Sequence, residues 1–105
     1  MDKDHELKNI TKAITSILPN SKIILFGSYA REQQSQWSDI DLAVIAPSFP
    51  ERKLIMMDIL RKAVNGETKK PVDILVYLEE EFEKKAQKRS MLAWTIKNEG
   101  VILHA

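Results

Sequence analysis

At 105 residues the chain has room for one hydrophobic core and reads as a single domain over 1–105. Its 44% apolar and 30% charged residues are ordinary for a globular protein and exclude a disordered chain. The net charge of +1 and the lack of cysteine speak against a grip on long nucleic acid and exclude disulfides, thiolate metal sites and cysteine nucleophiles.

The opening Met1-Asp2-Lys3-Asp4-His5-Glu6 is charged, so no signal peptide is expected. No apolar run approaches the ~20 residues of a membrane span. A cytoplasmic location without a membrane partner follows.

Asp2 or Asp4 can cap a first helix, in which Leu7, Ile10, Ile14, Ile17 and Leu18 recur along one face until Pro19-Asn20 stops it. Lys22 to Phe26 is a short β-rich run that ends at Gly27-Ser28, and a short helix is predicted from Ser28 to about Gln34. Ser38 to Ile45 predicts a second strand, ended by Pro47. Leu54 to Val64 predicts a helix with Ile55, Ile59, Leu60 and Ala63 inward and Gly66 as its C′ residue. Pro71 to Tyr77 predicts a third strand, a charged helix runs from about Glu79 to Asn98, and Val101 to His104 makes a last short strand after Gly100. The fold class is α/β, an α+β two-layer domain with a small mixed sheet flanked by helices.

Three acids interrupt strands that are otherwise apolar. Asp39 and Asp41 are two apart, so they share one face, roughly 7 Å apart along the chain. Asp73 stands between Val72 and Ile74 on another strand. Carboxylates in apolar surroundings are costly unless something positive neutralises them, and neither strand core carries Lys or Arg. Mg²⁺ takes oxygen ligands and is commonly shared between carboxylates and substrate phosphates. Three converging carboxylates suit a pair of such ions about 3.5–4 Å apart. Taken singly, each acid reads as a turn cap or a solvent-facing strand residue.

Gly27-Ser28 supplies the complementary part. A strand ending in Gly before a helix N-terminus lets backbone N–H groups approach an anion, and Ser28 adds a hydroxyl. Alone this is an ordinary turn. Followed after ten residues by Asp-x-Asp, it is expected by chance in about one chain in a thousand of this length, which makes the combination specific.

Gly27-Ser28-Tyr29-Ala30-Arg31 and Ser38-Asp39-Ile40-Asp41-Leu42 resemble the signature of the minimal nucleotidyltransferases of the DNA polymerase β-like superfamily. Val72-Asp73-Ile74 matches the family's third carboxylate, and Glu99 to Leu103 resembles the tail of its small members. Glu32 departs from the pattern, standing where relatives commonly carry Gly. The resemblance implies that Asp39, Asp41 and Asp73 are the catalytic and metal-binding residues, with two Mg²⁺ ions and ATP as substrate. It implies that Gly27 and Ser28 bind the nucleotide. Arg31, one turn further, either touches a phosphate with them or pairs with an acid on an exposed face.

The small family members resemble antitoxins that pair with a helical HEPN-domain RNase and adenylylate a hydroxyl on it, which implies a HEPN partner here. The alternative is a non-catalytic binding module that neutralises a partner by complex formation. Trp37 reads as core edge or base stack, and Tyr29 and Tyr77 as packing residues with polar tips. His5 and His104 have no matching ligands, and Lys84, Lys85, Lys88 and Arg89 read as a solvated face balanced by Glu79 to Glu83.

Overall fold

The computed structural model describes residues 3–31 and 39–105. In chain order it has α1 (Lys3–Ile17), β1 (Lys22–Phe26), β2 (Ile40–Ala46), α2 (Lys53–Val64), β3 (Val72–Leu78), α3 (Glu79–Lys85), α4 (Leu92–Glu99) and β4 (Val101–His104). The strands form one mixed sheet in the order β3-β2-β1-β4, with β2 and β3 parallel and the other pairs antiparallel. Helices flank this sheet as the sequence predicts. No helix among the described residues is long and apolar enough to cross a membrane.

The alternation of β1, β2 and β3 divides the core between two faces. Ile23, Leu25, Ile40, Leu42, Val44, Val72, Ile74 and Val76 pack against Leu7, Ile10 and Ile14 of α1 and Met56, Leu60 and Val64 of α2. Ile24, Ala43, Ile45 and Tyr77 point the other way and pack against Phe82 and Ala86 on one side and Ala93 and Ile96 on the other. The central strand β2 is covered on both faces, which is why Leu42 to Ile45 is a continuous apolar run. By the same alternation Asp41 and Asp73 belong to the α3–α4 face, one step beyond Ala43 and Leu75.

Three details differ from the sequence expectation. The charged helix over 79–98 is two helices, broken between Ala86 and the extended Met91 (φ −91, ψ 145). A straight helix of that length would run ~30 Å, twice the ~15 Å width of four strands. The break lets α3 cover β2 and β3 while α4 covers β1. In α2 the buried stripe is Met56, Leu60 and Val64, and Ile55 is 46% exposed. Leu54, Ile55, Met56 and Met57 are all apolar, so periodicity alone does not choose among them. Gly66 follows the C-cap Asn65, at the C′ position the sequence predicts, and the left-handed glycine among the described residues is Gly27. Asp4 falls inside α1 rather than ahead of it.

Asp2, Glu32, Trp37 and Ser38 lie outside the described residues, as does the end of the helix predicted from Ser28 to Gln34, beyond Arg31. Within 27–31 the chain forms turns, and the Arg31 N–H donates to the Gly27 carbonyl at 3.3 Å.

Candidate functional site

The pairing register builds the site. Asp41 lies opposite Phe26 across the antiparallel β1–β2 ladder and opposite Asp73 across the parallel β2–β3 ladder. Neighbouring strands are about 4.8 Å apart, so the Asp41 and Asp73 carboxylates stand side by side on one face. The Ile40 N–H donates to the Pro71 carbonyl at 2.9 Å, fixing the start of β2 against β3 just before both acids. Asp39, exposed, precedes this point. The strands thus bring Asp41 and Asp73 together, with Asp39 two residues along on the same face.

Gly27 completes the enclosure. Its φ is +77, and a Cβ placed on it would lie 2.3 Å from Asp41 Oδ2 and 3.2 Å from the carboxyl carbon. The glycine therefore leaves room for the Asp41 carboxylate as well as providing the backbone conformation of the turn. Tyr29, 3% exposed, is anchored in the core with α1 and α2, which pins the turn from below. Lys70 Nζ stands 5.8 Å from the centre of that ring. Tyr29 and Tyr77 are both buried, as the sequence predicts.

The electrostatics report the convergence of the acids. The Asp41 carboxyl is pushed above its ordinary range by burial first, then by the negative charges of Asp73 and Asp39, with Arg31 partly offsetting them. Arg31 is thus close enough to act on the central acid from the β1 side. Among the described residues, no three His, Asp or Glu side chains stand close enough to ring an ion by themselves. The donors are all carboxylate oxygens, a chemistry that suits a hard divalent cation completed by water and substrate oxygens.

A cavity of about 300 Å³ opens beside the acids. It is lined by Phe26, Asp41 and Asp73, by Val72, Ile74 and Leu75 of β3, by Met57 and Arg61 of α2, and by Leu92 of α4. Sequence reasoning missed Met57, Arg61 and Leu92. Their places depend on how α2 packs on β3 and α4 on β1, and no local signal marks them.

Three of the residues set aside have structural partners. Lys85 pairs with Glu81 at 2.9 Å, Arg89 lies 5.3 Å over the Trp94 ring, and His104 Nδ1 is 3.0 Å from the Ser21 carbonyl oxygen.

The profile of the nucleotidyltransferase domain family matches residues 7–103, which takes in every candidate residue. Over 42 residues the chain is 50% identical to a protein of Methanocaldococcus jannaschii whose name offers protein adenylyltransferase as its expected activity. That match takes in 40% of this chain and 29% of the relative, so this chain spans less than a third of the relative's length. A solved structure of a toxin–antitoxin with AMP-PNP is similar with a TM-score of 0.67 at 24% identity, over 92% of this chain and 71% of that one. A Sulfolobus solfataricus structure, described as an expected nucleotidyltransferase, gives a TM-score of 0.58 at 22% identity, over 92% and 75%. At these identities the two structures attest a shared fold.

Proposed function

This chain belongs to the nucleotidyltransferase domain family, and we propose that it transfers AMP from ATP to a hydroxyl on a partner protein of the helical HEPN class, acting as an antitoxin. The observation that carries this reading is the environment of Asp41, with Asp73 beside it, Asp39 acting on it and Gly27 giving way to its carboxylate. The adenylyltransferase name of the M. jannaschii relative supports AMP as the group moved. The toxin–antitoxin structure with AMP-PNP supports a nucleotide substrate and a protein partner.

In this reading Asp39, Asp41 and Asp73 hold two Mg²⁺ ions, which supply charge neutralisation at the phosphate being transferred. The Gly27–Ser28 turn binds the triphosphate through backbone N–H groups and the Ser28 hydroxyl. Arg31 adds a cation on the same side and offsets the repulsion among the acids. The acceptor hydroxyl oxygen forms a bond to the α-phosphorus, the bond to pyrophosphate breaks, and the hydroxyl proton passes to solvent. The protein's contribution is positioning, with no side chain required as general base.

The test uses ATP labelled in its α-phosphate, Mg²⁺ and a HEPN-domain partner. The partner should gain AMP with release of pyrophosphate, and Asp41→Ala or Asp73→Ala should abolish transfer. A partner that is bound and neutralised equally by wild type and by both variants, with no gain in mass, would establish the binding-module alternative instead. Binding alone is read from melting: at a hundredfold excess over Kd, Mg²⁺ with ATP stabilises the protein by about 2.7 kcal/mol, and Asp39→Asn should abolish the shift.

A further inference from the structure

Two cations stand near the acids, one at the turn after β1 and one at the cavity that Asp41 and Asp73 line. Arg31 acts on Asp41 from that turn. Arg61 projects from α2 into the cavity, and it is the one cation among the described lining residues. Resting on the reading of this site as an ATP site, we infer that Arg61 binds the phosphate groups of the nucleotide from the β3 side, opposite Gly27–Ser28.

Its backbone position is fixed. The neighbouring Leu60 and Val64 are buried against the sheet, and Met57, four residues before Arg61 and so on the same helix face, lines the same cavity. Its side chain is 63% exposed, so the guanidinium is free to swing over the cavity mouth. What holds it in the structure is weak. Asp58, its ion-pair partner at 3.6 Å, is half exposed and makes a closer pair with Lys62 at 3.0 Å. Releasing Arg61 therefore leaves Asp58 neutralised.

The chemistry selects the ligand. A planar guanidinium fork matches two phosphate oxygens, keeps its charge at any physiological pH and loses little hydration on binding. A triphosphate entering a cavity with two carboxylates needs positive charge beyond what metal ions share with the acids. Arg61 provides it without entering the acidic cluster.

The experiment measures binding of ATP, AMP and adenosine in Mg²⁺ to wild type, Arg61→Ala, Arg61→Lys and Lys62→Ala, alongside the melting temperature of each unliganded protein. Loss of a charged hydrogen bond to phosphate corresponds to about tenfold to a hundredfold in Kd. Arg61→Ala should lose that much affinity for ATP, Arg61→Lys should recover part of it, and Lys62→Ala should stay near wild type. Adenosine binding and the unliganded melting temperatures should not change. If wild type binds ATP and Arg61→Ala binds it equally well, Arg61 has no phosphate role. The same conclusion follows if Arg61→Ala changes only the KM for the acceptor protein. If wild type binds no ATP, the ATP-site reading falls and this inference falls with it, an outcome distinct from the other two.

Discussion

Gly27→Ala isolates the contact at the centre of the site. The substitution imposes two costs that can be separated. An Ala at φ +77 sits in the left-handed region, at about 1–2 kcal/mol. Its Cβ also meets Asp41 Oδ2 at 2.3 Å, more than an ångström inside ordinary contact, and overpacking of that kind costs about 1–3 kcal/mol. The total is about 2–5 kcal/mol in the wild-type background. The nearest atoms to the new Cβ are Oδ2, Cγ and Cβ of Asp41, the last at 3.4 Å, so Asp41→Ala removes the two close ones. In that background Gly27→Ala should cost only the backbone strain. Urea unfolding of wild type, both single variants and the double variant gives the coupling, which should be at least 0.5 kcal/mol and up to about 3 kcal/mol. Equal costs of Gly27→Ala in both backgrounds would refute the close packing of turn and carboxylate.

Four further outcomes are expected. Because the folded Asp41 holds its proton more tightly than the unfolded chain, its ionisation costs stability as pH rises above 3.8. Asp41→Asn should therefore be more stable than the metal-free wild type at pH 7, a gain that urea midpoints should show disappearing below pH 3.8. Burial raises the Glu81 carboxyl, but hydrogen bonds from Lys53, Lys85 and the Leu78 N–H outweigh it and bring the pKa from 4.5 down to about 2. That stabilisation is present above pH 4.5 and lost as pH falls toward 2, so the deficit of Glu81→Gln should close across this window. Gly100→Ala should lower the melting temperature sharply, since its Cβ would stand 2.4 Å from Ile24 Cγ2 and 2.5 Å from the Ile96 carbonyl oxygen. Gly66→Ala meets nothing within 4 Å, is not at positive φ, and should be neutral or stabilising by about 0.4–1 kcal/mol.

The sequence by itself determined the four strands and the helices α1 and α2. Alternation along β2 put Asp41 on the same face as Ala43 and Ile45, because strand geometry has a period of two wherever a strand forms. The spacing of Leu7, Ile10, Ile14 and Leu18 marked the buried stripe of α1, and Val101 to His104 stands as the last strand. These are local rules, satisfied within a few residues. Tertiary structure decided what local rules leave degenerate. The parallel register set Asp41 directly beside Asp73, and the packing of Gly27 on Asp41 gave the glycine a steric role that Gly-Ser alone does not announce. The width of the sheet broke the helix after Lys85, and the contact of α2 with β3 chose Met56 over Ile55 and carried Arg61 to the cavity. In each case the deciding neighbour is distant along the chain, and such contacts exist only once the layers have packed, because close packing selects one arrangement from several that hydrophobic pattern allows equally.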